Sequence, residues 1–241
     1  MQDPHIASAY DRDLEGLQAT LMKMGGLVET AIYESALALS NRDADAAGKV
    51  RRGDKAIDAL ELQLNEEAAR IIALRSPMGG DLRVMLTVVK IGIALERIGD
   101  YAKNMAKRTE AMIDQPPVNG SEQAIRRMAK EVEMMLKDVL DAYIQRDIAL
   151  AEDVRSRDQD VDQMYNALFR QFITHMMEDP RNISTCMHLH FMAKNVERMG
   201  DHVTNISEQV IYMVTGDLPD DARPKASSAA VWDDLPPSQS E

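Results

Sequence analysis

A single cysteine, Cys186, stands in the 241-residue chain. No disulfide can therefore form within it, and a reducing compartment is expected. Aromatic residues make up only 4%, against 17 methionines and a hydrophobic fraction of 45%. That balance points to aliphatic packing between helices and away from sheets, and no segment shows the alternation of a strand. No apolar run approaches the ~18 residues of a membrane span. The longest, from Val84 to Leu95, is broken by Lys90. Residues 1–10 lack the basic-then-apolar pattern of a signal peptide. Basic residues are also short: 28 Lys and Arg face 40 Asp and Glu, a formal net charge of −12. Such a surface repels phosphate backbones, which disfavours nucleic acid as a partner. There is no Ser-His-Asp order, phosphate loop or Walker motif. A cytoplasmic helical protein is expected.

What the chain does have is an echo. Glu96-Arg97-Ile98-Gly99-Asp100-Tyr101-Ala102-Lys103-Asn104 and Glu197-Arg198-Met199-Gly200-Asp201-His202-Val203-Thr204-Asn205 both read E-R-[IM]-G-D-x-x-x-N, 101 residues apart. On a helix the Glu, Asp and Asn fall along one face, and the Gly permits close approach of a neighbour. The echo extends further. At an offset of 104, Leu21, Met24, Val28 and Ile32 meet Ile125, Met128, Val132 and Leu136. At the same offset Arg42-Asp43 meets Arg146-Asp147, and Asp54 and Asp58 meet Asp158 and Asp162. The chain is an internal duplication.

Apolar seams at spacings of three and four predict six helices. The first covers about 8–40, with Tyr10, Leu14, Leu17, Leu21, Met24, Val28, Ile32, Ala36 and Leu39 inward. The second carries Val50, Ile57, Leu60, Leu64, Ala68 and Ile71, and stops at Ser76-Pro77-Met78-Gly79-Gly80. The third, about 82–113, carries Val84, Val88, Ile91, Leu95, Ile98, Ala102 and Met105. The fourth, about 121–145, has Ser121 as N-cap and Ile125, Met128, Val132, Met135, Val139 and Tyr143 inward. The fifth carries Val154, Val161, Met164, Leu168 and Phe172. Asp179-Pro180 then starts the sixth, with Leu189, Met192, Val196, Met199, Val203, Ile206, Val210 and Met213 inward. The expected fold is all-α: two tandem antiparallel three-helix bundles, residues 8–115 and 121–216, joined by a linker at 116–120 and followed by a disordered tail at 217–241.

The hairpin turns align the acids. Asp58 stands 19 residues before Pro77 and Glu96 19 after it, while Asp54 and Asp100 stand 23 before and 23 after. In the second half, Asp162 and Glu197 lie 18 and 17 residues from Pro180, and Asp158 and Asp201 lie 22 and 21. Antiparallel helices bring each set of four carboxylates to one height, within roughly 3 Å. Four like charges at one level repel unless a cation joins them. Asp54, Asp58, Glu96 and Asp100, and likewise Asp158, Asp162, Glu197 and Asp201, are thus candidate ligands of an oxygen-loving metal such as Mg²⁺, Mn²⁺ or iron. Asn104 and Asn205, one turn further on, are placed to support them. The competing reading is a solvated charged face neutralised by Arg97, Lys103, Arg51 and Arg155. His188, His190 and His202 on the sixth helix have no histidine counterparts in the first half and are expected to be surface or partly buried histidines, not ligands.

At these residues the chain resembles the PhoU family of bacterial phosphate-signalling regulators. The repeated E-R-[IM]-G-D-x-x-x-N stretches, the acidic pairs, and Asp179-Pro180-Arg181-Asn182-Ile183-Ser184 carry the resemblance, which covers about residues 8–215. It implies a cytoplasmic, commonly homodimeric adaptor and not an enzyme. Such an adaptor couples a phosphate ABC transporter, through its ATPase subunit, to a phosphate-sensing histidine kinase. It keeps the phosphate-starvation response off when phosphate is plentiful, and some members hold metal clusters on the acidic motifs. The alternative reading of the same carboxylates is a metal-dependent hydrolase.

Overall fold

A computed structural model describes residues 4–219 of the chain, with side chains from residue 9. Of the tail expected at 217–241, residues 220–241 lie outside the described residues. Six long helices follow one another: α1 (Pro4–Asn41), α2 (Ala44–Arg75), α3 (Gly80–Ala111), α4 (Ser121–Gln145), α5 (Ile148–Glu178) and α6 (Ile183–Thr215), with a short 3₁₀ turn, Pro180–Asn182, before α6. No strand occurs among the described residues.

The turns repeat because their residues repeat. Arg42 and Arg146 adopt φ of 53° and 55°, a left-handed conformation that ends a helix. The aspartate that follows each one caps the next helix: Asp43 accepts from the Ala46 amide at 2.9 Å, and Asp147 from that of Leu150 at 3.1 Å. Each such cap stabilises its helix by about 1 kcal/mol. Asp179 caps the 3₁₀ turn with Pro180 as its first residue. Ser121 is not a cap; Gly120 holds that position at φ 77°, and Ser121 is the first helical residue, buried and without a capping bond. A glycine reaches that positive φ without a Cβ clash.

The apolar seams pack as three-helix sets, α1–α2–α3 and α4–α5–α6. The residues predicted for them are buried almost throughout. Tyr10 and Leu14 are half-buried against the core, and Met164 is exposed at 38%; Tyr165 packs against the core in its place. The two sets do not stand apart. α1 packs on α4 and α3 on α6, so one continuous apolar core runs through both halves. The connection between them is held down as well. The Arg42 guanidinium donates to the carbonyls of Met112 at 2.9 Å, Ile113 at 3.0 Å and Gln115, and pairs with buried Glu122. Val118 is buried, and the Thr185 hydroxyl donates to the Gln115 side chain at 3.1 Å.

Candidate functional site

The glycine of each motif lets α3 and α6 lie close on α2 and α5. A methyl placed on Gly99 would come within 3.0 Å of Ile57 Cδ1 and 3.8 Å of an Asp54 oxygen. On Gly200 it would lie 3.2 Å from an Asp158 oxygen and 3.4 Å from Val161. The close approach buries one carboxylate per half: Asp54 is 6% exposed and Asp158 9%. These two acids are therefore not part of an outward solvated face.

In the first half the four predicted acids meet. Burial raises the Asp58 carboxyl above its ordinary range, and the charges of Asp54 and Asp100 add to the rise. Glu96 is raised first by burial, then by Asp100 and by Asp58 across the hairpin. Within this cluster sits the Lys103 ammonium, 2.5 Å from Asp54 and 2.6 Å from Asp100. Although burial opposes it, hydrogen bonds to Asp100 and Asp54 hold that ammonium above the usual lysine value. Arg97 pairs with Glu96 at 3.6 Å. Arg51, by contrast, turns away from the four acids and pairs with Glu110.

The second half repeats the carboxylates without that lysine, because Thr204 stands where Lys103 does. The Thr204 hydroxyl donates to the Gly200 carbonyl at 2.8 Å. Glu197 is raised by burial, opposed by Lys194 and reinforced by Asp201 and Asp162. Lys194 reaches one of its oxygens at 2.6 Å. The other oxygen, Oε2, is buried with no hydrogen-bond partner. Arg155 pairs with Glu152 at 3.4 Å and Glu208 at 3.8 Å.

An all-oxygen set of this kind suits Mg²⁺, Mn²⁺ or iron in donor chemistry, and the orphaned Glu197 oxygen is a lone pair that a cation would satisfy. In their present rotamers, however, no three His, Cys, Asp or Glu side chains among the described residues converge as a ligand set. In the first half Lys103 already supplies the positive charge between Asp54 and Asp100. As these side chains stand they do not gather round one point, although their donor chemistry suits a cation. His190 packs among Tyr165, Phe169 and Phe191, and burial lowers its pKa. His202 lies against Tyr101. Among the described residues no helix is long and apolar enough to cross a membrane.

The model of the PhoU domain family matches residues 21–109 and 125–210, one copy in each half. The chain is 43% identical to the phosphate-specific transport system accessory protein PhoU homolog of Caulobacter vibrioides over 221 residues, 92% of this chain and 96% of that one. The homolog of Rhizobium meliloti is likewise 43% identical over 225 residues, 93% and 95% of the two chains. Among solved structures, PhoU from Pseudomonas aeruginosa superposes with a TM-score of 0.83 at 36% identity, over 86% of this chain and all of that one. The phosphate transport system regulatory protein PhoU from Streptococcus pneumoniae gives 0.81 at 27% identity, over 88% and 100%.

Proposed function

The chain belongs to the PhoU family, and on that premise we propose that it is a negative regulator of the phosphate-starvation response. In this reading it is a cytoplasmic adaptor, acting as a homodimer, between the ATPase subunit of a phosphate ABC transporter and a phosphate-sensing histidine kinase. The coarser part, an accessory and regulatory role in phosphate transport, rests on relatives that carry that name over nearly their whole length. The observation that carries the finer part is the intact pair of motifs, each glycine seating its buried aspartate under a neighbouring helix.

An adaptor needs rigid faces more than a reactive group. Two helix trios sharing one core give such faces, and a clamped connection fixes the angle between them. Binding of one partner then biases what the other meets, which is the requirement for coupling. Divalent cations enter this reading as a secondary term. Asp158, Asp162, Glu197 and Asp201 would hold one after rotation of their side chains, with Asn205 supporting them. Asp54, Asp58, Glu96 and Asp100, with Asn104, would do so only where Lys103 swings out. A bound cation would neutralise repelling carboxylates and stiffen the hairpin.

Pairwise co-purification tests the reading. The chain is expected to retain the transporter ATPase subunit and the cytoplasmic portion of the kinase, each expressed with it alone. Retention of neither, with all components folded, sinks the adaptor assignment.

A further inference from the structure

The basic residues of this acidic protein are not scattered evenly. Between α2 and α3, above the first acidic cluster, lies a groove of about 460 Å³ whose walls carry Arg51, Arg52, Lys55, Lys103 and Lys107, against a single carboxylate, Glu110. Arg51 and Arg52 stand one turn before Lys55 on α2, and Lys103 one turn before Lys107 on α3, so both walls present cations to one space. Two of the five are committed: Lys103 to Asp54 and Asp100, Arg51 to Glu110. Arg52, Lys55 and Lys107 form no ion pair among the described residues. At Gly48 an added Cβ would lie 3.2 Å from the Arg52 guanidinium and 3.4 Å from Glu110. The missing side chain leaves that end of the groove open to both.

The duplication supplies an internal control. Where the first half has Gly48, Arg51, Arg52 and Lys55, the second has Glu152, Arg155, Ser156 and Gln159. Where the first has Lys103, Lys107 and Glu110, the second has Thr204, Glu208 and Ile211. The second-half surface thus keeps one cation, Arg155, and that one is paired with Glu152 and Glu208. The fold does not need the basic set, since the same hairpin forms without it. Three unpaired cations held near one another repel, and that cost is offset when an anion joins them.

We propose that this groove binds a small anion carrying at least two linked phosphates, either pyrophosphate or the phosphate chain of a nucleotide. A single phosphate monoester carries roughly −1.5 to −2 at neutral pH, which leaves part of the three free positive charges unmet. A diphosphate meets them, and it spans the ~5.4 Å between successive helical turns on a wall. The volume suits a compact ligand, within the range of small-molecule pockets. The chain's overall net charge of −12 keeps long polyanions away. The proposal goes beyond the adaptor reading and does not depend on it.

Calorimetric titration of the full chain with pyrophosphate, ATP and orthophosphate tests it, at about 50 and about 200 mM salt. Saturable 1:1 binding of pyrophosphate or ATP is expected, weaker at high salt and at least about tenfold tighter than orthophosphate. Tighter ATP than pyrophosphate would place the nucleoside in the groove; equal affinity would leave only the diphosphate seated. Converting the walls to their second-half residues, Arg52→Ser with Lys55→Gln and Lys107→Glu, is expected to weaken binding at least about tenfold, and Lys107→Glu alone to do so in part. These positions are exposed, so unchanged melting is expected. Arg126→Ser with Arg127→Ser, an exposed basic pair on α4, should leave binding as it was. Orthophosphate binding as tightly as pyrophosphate, no saturable heat with either diphosphate, or full binding by the wall variants would overturn the proposal. Binding of a poly-glutamate peptide in place of pyrophosphate would overturn it too, and assign the groove to a protein segment.

Discussion

Tyr101 and His202 hold the same place in the two motifs, five residues past the glutamate, and their rings meet with centroids 5.7 Å apart. The duplicated helices α3 and α6 therefore pack on each other through equivalent residues, as around a pseudo-twofold axis. Arg198 lies over the Tyr101 ring at 6.0 Å, and the Thr109 hydroxyl points at the Met192 sulfur at 3.9 Å along the same seam. If the seam couples the halves, Tyr101→Ala and His202→Ala are not additive. A double-mutant cycle in urea is expected to give about 0.5–1.5 kcal/mol of coupling; a value near zero would mean that the rings only sit side by side.

The motif glycines make a sharper claim on packing. Gly99→Val and Gly200→Val each push a side chain into Ile57 or Asp158, and are expected to destabilise by about 1–3 kcal/mol. Gly53 on α2 has open space around its Cβ position. Gly53→Ala is expected to stabilise by about 0.5–1 kcal/mol through helix propensity alone. Chemical denaturation of the three variants checks both signs at once.

Much of this arrangement was legible in the sequence. The seams, the Arg-Asp turns and the matched acids follow from period, capping chemistry and hairpin arithmetic, since each depends on residues near in the chain or on a rigid helical rise. Two things were less legible. Helices α1 and α4, and α3 and α6, pack across the halves, because an apolar stripe says that a face is buried but not against which partner. Lys103 could be named as a neutralising cation from its i+3 spacing to Asp100. Its simultaneous reach to Asp54 depends on the Gly99 contact, which brings α2 within range. Met164 and Ser121 failed as core and cap for local reasons: a neighbouring Tyr165 fills the seam, and Gly120 supplies the positive φ.

Lys103 gives the third prediction. Taken without that lysine, four carboxylates repel, and removing one would be neutral or stabilising. With it in place, Lys103→Ala leaves buried Asp54 without its cation and is expected to cost about 1–2 kcal/mol, a range reduced because the ammonium is partly exposed. Excess Mn²⁺ should restore part of that loss in the variant by taking the vacated position. Thermal melts in chelator and then in Mn²⁺ read both effects; an indifferent Lys103→Ala would mean that the acidic cluster is solvated enough to stand alone.

Glu197 sets a pH dependence. Its carboxyl is raised in the folded chain by burial and by Asp201 and Asp162, against the pull of Lys194. The folded state then binds the proton more tightly than the unfolded state, so stability is gained as pH falls toward the unfolded value and is lost as pH rises through the folded one. Glu197→Gln should therefore be more stable than the wild type near pH 7, with the advantage shrinking as pH falls toward the ordinary glutamate range. A difference that grows on acidification would reverse the assigned sign.

The regulatory claim is met most directly inside the cell. Transcripts of phosphate-starvation genes, measured in phosphate-replete medium, compare the parent strain, a strain without this chain and that strain with the chain restored. The account predicts high transcripts only in its absence, with the transporter and kinase present throughout. Equal, low transcripts in all three strains would contradict it.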